Sequence, residues 1–173
     1  MDTLVYEGKT YTRRGQKWAD AANMIVHEGL QRDLNKAYAG QLEPAALPLD
    51  KCISHGDSFK NSGSYSLALK FYEEAVEKAD YQTMSYILPR MTSCYRKNGQ
   101  PQKAIDLLTY ASNTFGSNMV TAALYTSAAA AYCDLGKYSL ARKCCSKAYA
   151  KGNGAHSEEL SLVYKRIEKE TKE

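Results

Sequence analysis

A chain of 173 residues, 44% hydrophobic and 24% charged, is long enough for one domain with a proper core or for a short repeat array. Its formal net charge of +4 demands neither nucleic acid nor membrane, but residues 49–82 carry four basic against six acidic side chains and residues 83–155 carry nine against two, a net of +7. No apolar run suits a signal peptide or a bilayer span, and five cysteines, an odd number, read as reduced thiols; the expectation is a soluble cytoplasmic protein.

The first 48 residues differ in kind from the rest. In TLVYEGKTYTRRGQKWAD, β-branched and aromatic residues alternate around Glu7-Gly8 and Arg14-Gly15, which predicts two or three short strands in a hairpin or meander. HEGLQRDLNKAYA comes next as a helix with Leu30, Leu34, Ala37 and Tyr38 on one side. GQLEPAALPLD, with Pro44 and Pro48, reads as a linker. So small a sheet is not stable alone and is expected to pack on the repeats that begin at residue 49.

From residue 49 the chain repeats itself. Phe59, Gly63, Tyr65, Ala68, Tyr72 and Ala75 are echoed by Tyr95, Gly99, Pro101, Ala104, Leu108 and Ala111, then by Tyr132, Gly136, Tyr138, Ala141, Cys145 and Ala148. The steps are 4, 2, 3, 4 and 3 in every copy, and the copies lie 36 and 37 residues apart. A fixed period in this range predicts stacked helical hairpins. Each first helix ends near the glycine, where a left-handed residue is needed, and each second helix presents small alanines and one bulky residue to its neighbours. Gly56, Thr92 and Ala129 each stand three residues before the aromatic of the first helix as a further small contact point.

This pattern resembles three tetratricopeptide repeats, at about 49–82, 85–118 and 122–155. Cys52, Leu88 and Tyr125 stand where that family has its early Trp, and the closing Pro is missing. The resemblance implies a mainly α fold: an α–α superhelix over 49–173, with the N-terminal strands and helix as an extension. HSEELSLVYKRIEKETKE completes it as a capping helix over 157–171, with Ser157 as N-cap and Leu160, Val163, Tyr164 and Ile167 as its apolar stripe.

Few residues invite a chemical reading. Cys144-Cys145 and the Cys52/His55 pair lack the further ligands a metal site needs, and His27 and His156 have no partner for a triad. The expectation is no enzyme, no cofactor and no metal. Pro89 lies inside the first helix of the second repeat and is expected to bend it or delay its start to about Ile87, with a loosened carbonyl near Tyr86.

Placing Phe59, Tyr95 and Tyr132 towards neighbouring helices leaves three rows for a concave groove: Ile53, Asp57 and Lys60; Tyr86, Ser93, Arg96 and Lys97; Thr126, Ala130 and Cys133. The resemblance implies protein or peptide binding there, and the basic second row suggests an acidic ligand. Repeats of this family that clamp the acidic tails of heat-shock chaperones use Lys and Asn where this chain has Ile53 and Asp57, so that ligand is not implied. An adaptor-like interaction module is thus one reading. The alternative is a helical repeat that binds nucleic acid through the basic 83–155 segment, and end-to-end self-assembly is a third.

Overall fold

The computed structural model describes residues 2–154 and 157–171. His156 and the last residue of the third repeat as read from sequence, at 155, lie outside that range. Among the described residues three strands, β1 (Thr3–Tyr6), β2 (Lys9–Arg14) and β3 (Lys17–Ala19), precede eight helices: α1 (Glu28–Gly40), α2 (Leu49–Asn61), α3 (Tyr65–Lys78), α4 (Tyr81–Lys97), α5 (Pro101–Phe115), α6 (Ala122–Asp134), α7 (Tyr138–Lys151) and α8 (Glu158–Glu170). The chain packs as two units, Met1–Lys78 and Ala79–Glu173.

In the first unit the strands form an antiparallel meander in the order β1-β2-β3. Strand alternation turns Leu4, Tyr11, Arg13 and Trp18 inward, and all four are buried. Gln31 of α1 lies along β3 as a strand would: its Oε1 accepts from the Trp18 amide at 2.8 Å and its Nε2 donates to the Trp18 carbonyl at 2.8 Å. The buried Asn35 joins three elements, accepting from Trp18 Nε1 at 2.9 Å and donating to Ser62 Oγ at 3.0 Å just after α2. The sheet and α1 therefore pack on the first helical hairpin, α2–α3, through a satisfied polar bridge.

The three hairpin turns are closed alike. Gly63, Gly99 and Gly136 have φ of 77°, 73° and 69°, the left-handed conformation the spacing predicts. After each, the next residue donates back to the aromatic of the first helix, Ser64 to Phe59, Gln100 to Tyr95 and Lys137 to Tyr132, at 2.8–2.9 Å. A second closure leaves no mark in the repeat pattern: Lys78 Nζ donates to the carbonyls of Pro44, Ala45 and Leu47, and Lys151 Nζ donates to Ser117 O at 2.8 Å. Both lysines reach a carbonyl 34 residues back, so each staples the end of a second helix to the chain entering the first.

Of the two effects expected of Pro89, the delayed helix start does not occur. α4 begins at Tyr81, not near Ile87, and runs through the proline. Asp80 caps it, its Oδ1 accepting from the Thr83 amide at 2.8 Å, so the helix is established two turns before the missing donor is met. Proline then removes one backbone bond rather than the helix.

In the second unit α6 is the central helix, in contact with α4, α5, α7 and α8. Its sequence AALYTSAAAAYCD is suited to that place, because small side chains let four neighbours approach one axis. Leu160, Val163 and Ile167 of α8 are buried, so the C-terminal helix covers the last hairpin as a cap.

The packing yields a stability prediction. A Cβ at Gly56 would stand 2.6 Å from a ring carbon of Tyr72, which is fully buried and whose hydroxyl donates to Asp57. Gly56→Ala should cost about 1–3 kcal/mol in urea unfolding, and shortening the ring with Tyr72→Leu in the same chain should recover part of the loss. Equal stability of Gly56→Ala and wild type would contradict the packing.

Candidate functional site

On α2, Ile53, Asp57 and Lys60 are all half-buried. Ile53 and Asp57 line a cleft of about 560 Å³ whose other wall is built from the sheet by Asp2, Arg13 and Gln16. Asp57 is held from behind, since its carboxylate accepts from the Tyr72 hydroxyl at 2.5 Å. The sequence does not assign the sheet that forms this wall to the site, because strand-to-helix packing leaves no periodic signal.

On α4, Tyr86, Ser93 and Lys97 share a helical stripe with Arg90, a residue that no sequence pattern singles out. The Arg90 guanidinium carbon lies 3.3 Å from the centre of the Tyr86 ring, and its Nη1 donates to the Tyr86 carbonyl at 2.9 Å. Tyr86 itself is 44% exposed. The carbonyl expected to be loosened near Tyr86 is thus occupied by Arg90. A planar guanidinium stacked on an aromatic face and tied to a carbonyl is fixed in direction, which lowers the entropy cost of a further contact. α4 contains three basic residues and no acidic one.

Arg96 does not face an open groove. Its Nε lies 3.2 Å from Asp134 Oδ2 at the end of α6, and Asp134 Oδ1 accepts from Arg166 Nη1 of α8 at 2.5 Å. The Asp134 hydrogen bond raises the Arg166 pKa further. One carboxylate therefore ties three helices together through two guanidinium groups.

The third row is also closed. Thr126, Ala130 and Cys133 are 3%, 3% and 1% exposed, because α6 is enclosed by its neighbours and α8 lies against it. The apolar stripe of the C-terminal helix is plain in the sequence, but the face it covers is not.

The cysteines are packed, and the described histidines are engaged in structural contacts. All five cysteines are buried and free; burial pushes the thiols of Cys52, Cys133 and Cys144 up, and that of Cys145 to about 12. Thiols of this kind stay protonated at neutral pH and are poor nucleophiles. Cys52 Sγ lies 3.4 Å from Pro44 O, and His55 sits among the rings of Tyr38, Phe59 and Phe71. His27 caps α1, accepting from the Leu30 amide at 3.3 Å. Among the described residues no three His, Cys, Asp or Glu side chains come together as a metal site would require. No helix among them is long and apolar enough to cross a membrane.

The sequence matches no protein-family model and no curated protein. Among solved structures, the chain is similar to the crystal structure of the Sgt2 TPR domain from Aspergillus fumigatus, with a TM-score of 0.62 and 19% identity, over 75% of this chain and 83% of that one. The fold of the helical hairpins is that of tetratricopeptide repeats.

The ion network carries a prediction. Asp134→Ala leaves Arg96 and Arg166 facing one another without a counter-charge and should lower stability by about 1 kcal/mol. Loosening of α8 should also raise the rate at which a thiol reagent modifies Cys133 relative to wild type, in native buffer. An unchanged rate would mean that α8 is held by its apolar stripe alone.

Proposed function

We propose that this protein is a non-catalytic, cytoplasmic protein-interaction module of the adaptor type. The observation that carries the reading is the stripe of Tyr86, Arg90, Ser93 and Lys97 along α4, on a helix without an acidic residue. Its fixed guanidinium and its charge suit an acidic peptide segment of a protein partner, since carboxylates accept paired, charge-assisted hydrogen bonds from such a group. The fold supports the same reading, because repeats of this kind fix their packing residues and leave surface positions on the first helix of each hairpin to vary. In the first unit, Ile53, Asp57 and Lys60 present a different, mixed-charge surface, which belongs to the same proposed recognition function.

The nucleic-acid alternative rests on the basic 83–155 segment and on the exposed Tyr81, Tyr86, Tyr110 and Tyr149. Against it, the basic residues are spread over several helices: Arg90, Arg96 and Lys97 on α4, Lys103 on α5, and Arg142, Lys143, Lys147 and Lys151 on α7. Backbone tracking of a strand needs such charges aligned in one channel.

The two readings separate in one titration. A double substitution, Tyr86→Ala with Lys97→Glu, leaves the Asp134 network intact and should weaken an acidic protein partner by roughly tenfold or more, equivalent to about 1.4 kcal/mol. A random oligonucleotide should bind weakly, with little difference between wild type and variant. Tight oligonucleotide binding that falls steeply with salt, and no loss of partner binding in the variant, would overturn the proposal.

A further inference from the structure

The N-terminal sheet is attached to the first hairpin by a buried cation. Arg13 of β2 is 8% exposed, and its guanidinium carbon lies 5.7, 5.3 and 5.6 Å from the ring centres of Trp18, Tyr38 and Phe59. Its Nη2 donates to Ser58 Oγ of α2, and its Nη1 lies 3.9 Å from an Asp2 carboxylate oxygen. The Nε has no hydrogen-bond partner among the described residues. This charge is therefore thinly compensated, with one distant carboxylate and the faces of three rings.

His55 of α2 belongs to the same cluster. Its ring centre is 5.9 Å from Tyr38, 6.4 Å from Phe59 and 5.4 Å from Phe71 of α3, so it shares two rings with Arg13. The charged groups acting on it are Arg13 from the sheet, Lys51 from its own helix and Asp2 before β1; Tyr38 faces it from α1, and α3 contributes the uncharged Phe71. We propose that His55 is an acid-sensitive latch: its protonation places a second cation beside Arg13 in the aromatic cluster and releases the N-terminal sheet from α2, while the α2–α3 hairpin stays helical. Release of the sheet removes one wall of the cleft that Ile53 and Asp57 line.

The surroundings fix the sign. Burial, then Arg13, lowers the His55 pKa, so the folded cluster favours neutral imidazole. The attachment is then at full strength above the pKa of free histidine, about 6.5, and weakens as pH falls below it and through the folded value. His27 retains its own exposed place as a helix cap and is not part of the cluster.

Trp18, the one tryptophan of the chain and fully buried beside Arg13, reports the attachment directly. Wild type and His55→Gln should be followed from about pH 8 to about pH 5 by tryptophan fluorescence and by far-ultraviolet circular dichroism. Wild type should show a red shift of Trp18 emission with the helical signal largely kept, and His55→Gln should show that shift only at lower pH. Superimposable fluorescence curves for the two proteins would overturn the latch, as would loss of helix in step with the Trp18 shift. Should His55→Gln not fold, the proton resonance of the His55 ring in wild type must titrate with the same midpoint as Trp18 emission; two separate midpoints overturn it equally.

Discussion

The first helical hairpin closes on a contact between a small residue of its first helix and a large one of its second. Where the first helix has Gly56, the second has Tyr72, with its ring against the glycine backbone. The corresponding positions of the later hairpins hold Thr92 with Leu108 and Ala129 with Cys145, all of them buried. Close-packed interiors leave little room for change at such a contact, and in the first hairpin it is the glycine that admits the tyrosine ring. The same tyrosine has a further effect, because its hydroxyl reaches across to hold Asp57.

Several charges in this protein act within it. Arg13 fastens a sheet, Asp134 gathers Arg96 and Arg166, and Lys78 and Lys151 neutralise the carbonyl ends of helix-entry segments. Along α4 runs a short stripe whose central cation is already oriented by a neighbouring ring. An oriented group of this kind contributes to selectivity more than a larger number of mobile ones, since less freedom is lost when a ligand arrives.

The hairpins are legible in the sequence because their constraints recur. A left-handed turn residue admits few substitutes, and Gly63, Gly99 and Gly136 mark the same point three times. The strands of the N-terminal meander are legible for a related reason, as alternation around Glu7-Gly8 and Arg14-Gly15 is a short-range pattern. The candidate site is less legible. Arg96 meets Asp134 only through tertiary packing, and Asp134 meets Arg166 across 32 residues without any periodic trace. Thr126, Ala130 and Cys133 look open in the sequence because the stripe of Leu160, Val163 and Ile167 shows that a helix is amphipathic and not which face it will cover. Pro89 misleads because the local effect of a proline is outweighed by the cap at Asp80, two turns upstream.

The carboxamide of Gln31 has a consequence for life in a crowded solution. A three-stranded meander has two outer strands, and each exposes backbone donors and acceptors that another chain can extend into a shared sheet. By bonding both the amide and the carbonyl of Trp18, Gln31 fills one such outer position with a side chain. A side chain cannot propagate: it ends the ladder at a helix, which offers nothing for a further strand to join. The opposite strand, Thr3–Tyr6, is only four residues long, too short a template to recruit a neighbour firmly. The chain after β3 completes the cover, with Ile25 bridging Ala19 and the Val26 amide donating to the Trp18 carbonyl at 3.1 Å, so the small sheet is guarded against fibrous association by that closed edge and by brevity.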